Sequence, residues 1–101
     1  MPMIGEDITR VIGHLIKEGD LNSKIRRILE KEIRRRLAEY QLIDMGFQRK
    51  YGITLEEFEK RKVIKEKGYS FEVESDYHEW DAAVDATKTL RRDLKELCQK
   101  N

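Results

Sequence analysis

His14, His78 and Cys98 are the side chains in this 101-residue chain best suited to metal or nucleophilic chemistry. Their spacing argues against both. A zinc site takes three or four Cys, His or acidic ligands at set intervals, yet the two histidines are far apart and the cysteine stands alone. A lone Cys98 also excludes an internal disulfide or thiolate cluster and fits a reducing compartment. Cysteine and histidine acting as nucleophile and base need an activating electropositive pocket and an orienting third group, and a terminal helical turn offers neither. Asp76, His78, Glu79 and Asp81 could graze a cation, but neighbouring helix positions point in different directions. The six glycines are scattered singly, so no phosphate-cradling loop is present. These residues predict a protein with no catalytic site, no metal and no cofactor.

Two stretches have the chemistry of binding. The first, YSFEVESDYHEW, gathers Tyr69, Phe71, Tyr77 and Trp80, four of the eight aromatic residues, among Glu72, Glu74, Asp76 and Asp81. Aromatic rings bury large areas with few rotatable bonds, and acids around them steer a basic partner. A core of Ile and Leu could absorb some rings, Trp80 first, but a chain this small cannot readily enclose all four. Residues 69–84 are therefore the expected interface, centred on Tyr69, Phe71, Glu72, Val73, Glu74, Asp76, Tyr77, Trp80 and Asp81. The second stretch is basic. Arg27, Lys31, Arg34 and Arg35 fall near one helical face, where arginines could grip phosphate. Its bland alternative is a solvated face in which Glu30 pairs with Arg34 and Glu32 with Arg36.

The elements that carry these residues follow from periodicity. Ile8, Val11, Ile12, Leu15 and Ile16 share a face, predicting a helix over about 5–18 that stops at Gly19. A second helix opens on Asn22 or Ser23 and carries Ile25, Ile28, Leu29, Ile33, Leu37, Tyr40, Phe47 and Tyr51 to Gly52, over 22–51 unless Gly46 breaks it. Such a length exceeds what a small core can cover. Thr54 with Glu57 is a capping box that opens a third helix over 54–67, with Glu56 to Lys60 and Glu57 to Arg61 as outer pairs. Tyr69 to Glu74 alternates apolar and polar residues, which reads as a short extended segment, an edge or a packed loop. Ser75 or Asp76 then caps a last helix over 75–98, with Trp80, Ala83, Val84, Thr87, Leu90, Leu94 and Leu97 in near-heptad spacing.

Composition agrees with this reading. Charged residues make up 41% and hydrophobic residues 39%, with one proline, as expected of helices joined by short turns. No stretch approaches the roughly 18 apolar residues of a membrane span, and MPMIGEDITR lacks the basic start and apolar run of a secretion signal. The expected location is the cytoplasm. Abundant Lys, Arg and Glu lean towards a thermophilic source. The net charge of +1 conceals two opposite fields. Residues 23–36 hold seven bases against two acids, and residues 70–86 hold six acids and no Lys or Arg.

Residues 48–97 also carry a resemblance. Lys50, Tyr51 and Gly52, then Glu56, Glu57, Phe58 and Glu59, then Phe71, Glu72, Val73 and Glu74, and finally Trp80 within an acidic helix, resemble small archaeal and bacterial proteins that look like antitoxins encoded beside a toxin gene. The resemblance implies a protein partner, a toxin, whose active surface is masked. Residues 1–20 read as helix and so depart from the strand that opens a ribbon-helix-helix antitoxin.

The expected fold is thus all-α, a single domain over 1–101 built as a hairpin or bundle of about four helices around one long central helix. The expected function is antitoxin-like protein binding. The alternatives are nucleic-acid binding or transcription control through the basic face of the second helix, and self-association through the second or last helix into a homo-oligomer.

Overall fold

The computed structural model describes residues 5–15 and 19–99. It is all-α, and its described residues form five helices: α1 (Glu6–Leu15), α2 (Leu21–Tyr51), α3 (Leu55–Lys60), α4 (Val63–Glu66) and α5 (Phe71–Gln99). Residues 16–18, which the sequence places in the first helix, lie outside the described residues, as does the chain after Gln99.

α2 and α5 form an antiparallel hairpin that gives the molecule its elongated shape, 57 × 26 × 25 Å. The heptad patterns of both helices meet along this seam. Its register is fixed at three levels. Arg26 donates from Nη1 to the Leu97 carbonyl at 2.7 Å, Trp80 donates from Nε1 to Asp44 Oδ1 at 2.7 Å, and Tyr51 donates to Asp76 Oδ2 at 2.6 Å. The first of these satisfies a carbonyl that the end of α5 would otherwise leave unpartnered.

Caps explain the boundaries. Asp20 accepts from the Ser23 backbone N–H at 2.8 Å and so starts α2, two to three residues earlier than the Asn22 or Ser23 expected from sequence. α2 runs through Gly46 uninterrupted and ends at Gly52, whose φ of 74° is the left-handed conformation that glycine adopts without steric cost. Thr54 caps α3 by accepting from the Glu57 N–H at 3.2 Å. The Glu57 carboxylate closes this box on the Thr54 hydroxyl at 3.3 Å.

Two expectations are corrected. The third helix is not continuous over 54–67, because Lys62 takes φ 52° and divides it into α3 and α4. The segment 69–74 is not extended. Ser70 accepts from the Val73 N–H at 3.2 Å and starts α5 at Phe71, five to six residues before the Ser75 or Asp76 cap that the alternation suggested.

The core lies at the closed end of the hairpin, where Leu55, Phe58, Val63, Val73 and Trp80 are buried together. Phe47, Tyr51, Ile53, Ile64, Tyr77 and Val84 pack around them. Towards the open end α2 buries only Leu37, and Leu29 is exposed. α1 lies against α2 with Leu15 beside Ile28, but Ile8, Val11 and Leu15 remain exposed and no α1 residue is buried.

Candidate functional site

The closed end is organised by aromatic rings, three of which, Tyr51, Tyr77 and Trp80, are tethered by a hydrogen bond. Trp80 has no exposed surface and stacks between Phe47 and Tyr51, with ring centroids 5.6 and 5.9 Å away. Phe58 meets Tyr51 and Trp80 edge-on at 5.1 and 5.3 Å and stacks on Tyr77 at 5.8 Å. Offset and edge-to-face contacts of this kind are worth about 0.5–1.5 kcal/mol each beyond the area they bury. Asp44 accepts from the indole, Asp76 from the Tyr51 hydroxyl, and Glu59 from the Tyr77 hydroxyl at 3.3 Å. No buried side-chain polar atom among the described residues is left without a partner.

A charged clamp sits beside this cluster. Lys50 Nζ reaches Asp76 at 2.6 Å and Glu72 at 2.8 Å. Burial pushes the Asp76 carboxyl up, but hydrogen bonds from Lys50 and Tyr51 outweigh it and hold the group below the usual carboxylate range. Tyr51 is pushed up to about 12, first by burial and then by the Asp76 carboxylate it donates to. Lys50 is raised above the ordinary lysine value by its two carboxylate partners, Asp76 first.

The sequence-predicted interface residues therefore divide by helical position. Val73 and Trp80 are core, and Tyr77 is half-buried against Phe58. Glu72 and Asp76 hold Lys50, with Asp76 mostly covered and Glu72 open. Glu74 is half-buried and Asp81 exposed. Phe71 is 86% exposed and Tyr69 61% exposed. Alternation had placed Phe71 and Val73 on one side; helical geometry sends one to solvent and the other to the core.

Tyr69 also walls a cleft of about 490 Å³ between α3, α4 and the start of α5. Phe58, Val63, Ile64 and Tyr77 supply its apolar lining, with Glu59, Lys62 and Lys65 at its edges. α4 is bracketed by two non-glycine residues in the left-handed region, Lys62 at φ 52° and Tyr69 at φ 57°. Each such residue costs roughly 1–2 kcal/mol, and the pair fixes how α4 and the Tyr69 ring sit over the cleft. Sequence reasoning did not identify Lys62, Val63, Ile64 or Lys65 as site residues, because no local signal marks a charged or aromatic residue for positive φ.

The basic face expected on the second helix is partly retained. Arg27, Lys31, Arg34 and Arg35 are all exposed on α2. Arg35 pairs with Glu32 at 2.6 Å and also with Glu39, while Arg36 takes Glu32 at 2.8 Å. Hydrogen bonds from Arg35 and Arg36 lower the Glu32 carboxyl to about 2. Among the described residues no ion pair engages Arg27, Lys31 or Arg34, and the expected Glu30 to Arg34 pair does not form. Of the pairs expected on the third helix, Glu56 to Lys60 forms at 3.0 Å.

Among the described residues no group of three His, Cys, Asp or Glu side chains is placed to hold a metal ion, and no helix is long and apolar enough to cross a membrane. No protein-family model, curated protein or solved structure matches the chain.

Proposed function

We propose that this chain is an antitoxin-like protein-binding module that neutralises a basic partner protein, a toxin, by docking the α4–α5 end over its active surface. The observation that carries the reading is the pair Tyr69 and Phe71, both large and both mostly exposed, with Tyr69 walling an apolar cleft. Covering one such ring contributes on the order of 2 kcal/mol. Exposed aromatics beside a concave apolar surface are what binding hot spots are made of.

Charge supplies the orientation. Among the described residues Glu74, Glu79, Asp81 and Asp85 enter no ion pair, and all four lie on the first half of α5. Acids along α5 beyond this patch raise the encounter rate with a basic surface and disfavour acidic ones. A toxin that acts on RNA would present such a positive surface.

The test uses the full chain. A protein captured from source cells is purified, shown to arrest growth when expressed alone, and titrated with the wild type and with Phe71→Ser and Tyr69→Ser variants. The expected result is growth rescue by the wild type and affinity losses of tenfold or more in each variant, with helicity unchanged. Equal affinity of all three proteins would overturn the reading.

A further inference from the structure

The open end of the hairpin carries a feature that neither helix shows alone. One groove beside the α2–α5 seam is walled by Gln48 of α2 with Asp81, Val84, Asp85 and Lys88 of α5. The opposite groove is walled by Leu29 and Ile33 of α2 with Asp93 and Glu96 of α5. These linings assign each helix position to a side. Residues a heptad apart stay on the same side of a coiled seam. Two and three heptads before Gln48 stand Arg34 and Arg27; one heptad after Val84 and Lys88 stand Arg91 and Lys95. Lys24 and Lys31 flank the α2 row.

One side of the open end is therefore lined by bases from both helices, while Asp93 and Glu96 face the other side. The register set by Arg26 to Leu97 and Asp44 to Trp80 brings Arg34 within a turn of the level of Arg91. Positions flanking a coiled seam normally pair opposite charges; here like meets like. Lys24, Arg27, Lys31, Arg34, Arg91 and Lys95 enter no ion pair among the described residues, whereas Lys50, Lys60, Arg35 and Arg36 all do. Six uncompensated cations on one face repel one another, and an external polyanion relieves that repulsion.

We infer that this two-helix basic face, Lys24, Arg27, Lys31 and Arg34 of α2 with Arg91 and Lys95 of α5, binds the phosphodiester backbone of a nucleic-acid duplex without regard to sequence. Lys24 to Arg34 covers ~15 Å of helix, enough to reach phosphates on both edges of a groove ~12 Å wide. The face itself is built of charged side chains, with the exposed Leu15 of α1 at its Lys31 edge, so it lacks the wide apolar face an interfacial membrane helix requires. It lies at the opposite end of the hairpin from Tyr69 and Phe71, so the two surfaces can be occupied together, and this inference does not depend on the partner-binding reading.

The test is fluorescence anisotropy of the full chain on random-sequence duplexes of about 20 base pairs, roughly two helical turns, as DNA and as RNA, with phosphatidylserine vesicles as a third arm. Binding at about 50 mM salt is expected, with log K falling against log salt at a slope of about −5, roughly 0.9 for each of the six bases. Arg34→Gln and Arg91→Gln should each make that slope shallower by about 0.9, and Arg34→Lys should restore it. Arg49→Gln, an exposed base on α2 near the closed end, should leave it unchanged. The DNA and RNA arms report which duplex is preferred, and binding to either supports the inference. Absence of salt-dependent binding to both duplexes, an equal effect of Arg49→Gln, or tighter binding to vesicles than to either duplex would overturn it.

Discussion

Asp44 of α2 and Trp80 of α5 are joined by a 2.7 Å hydrogen bond from an indole with no exposed surface. It is one of three polar links to the aromatic cluster, beside Tyr51 to Asp76 and Tyr77 to Glu59, and it helps to set which residues of the two long helices face each other. Everything placed on either end of the hairpin depends on that register.

Removing the acceptor should therefore cost more than a surface change. Asp44→Leu leaves a buried donor unsatisfied and is expected to lower stability by about 1–3 kcal/mol, while Asp44→Asn, which keeps an acceptor oxygen, costs less. Trp80→Ala should cost about 3–5 kcal/mol. Urea denaturation of the three variants checks the order.

The clamp at Asp76 predicts the acid limb of stability. Its carboxyl is held below the usual aspartate range in the folded chain by Lys50 and Tyr51, so the unfolded chain binds the proton more readily. The stabilisation is present above the ordinary aspartate pKa of about 3.9 and is lost as pH falls through the folded value. Asp76→Asn should flatten the pH dependence of the urea midpoint below that pH.

At the alkaline end the sign reverses. Burial and the Asp76 carboxylate push Tyr51 up to about 12 in the folded chain, against about 10 for an ordinary tyrosine, so its contribution is complete below about pH 10 and is lost as pH rises towards 12. Spectrophotometric titration should show Tyr51 as the latest of the tyrosines to ionise, with Tyr77 also raised by burial, and Tyr51→Phe should remove the last step while costing about 1 kcal/mol at neutral pH.

Backbone strain gives a prediction of opposite direction. Lys62 and Tyr69 hold positive φ without being glycine. Lys62→Gly should raise stability by about 1 kcal/mol. Tyr69→Gly should leave stability unchanged or slightly raised, yet weaken partner binding, which separates the ring's role from the fold. Thermal melts and titration on the same samples measure both.

Much of this fold was legible because its boundaries rest on local chemistry. Gly52 and Thr54 mark the end of α2 and the start of α3 through a left-handed stop and a capping hydroxyl, each read from one or two residues. The heptad run from Trp80 to Leu97 likewise declares its own face. Tyr69 to Glu74 was misread because six residues of alternation fit a strand as well as a first helical turn, and the Ser70 cap that decides the matter is only one serine among several. The positive φ of Lys62 splits a helix that local propensity would continue. The roles of Asp44, Asp76 and Arg91 depend on register across the hairpin, to which no local pattern refers. Of the expected interface, the exposed part, Tyr69 and Phe71, was identified by residue type, but its separation from Val73, Trp80 and Tyr77 required the helix.

The most direct test of partner docking at the α4–α5 end is the dissociation constant of the purified toxin complex for the wild type and for the Tyr69→Ser, Phe71→Ser double variant. The account predicts a loss of about 100-fold, two hot-spot side chains of somewhat over 1 kcal/mol each, with an unchanged melting curve. An unchanged dissociation constant in a folded double variant would contradict it.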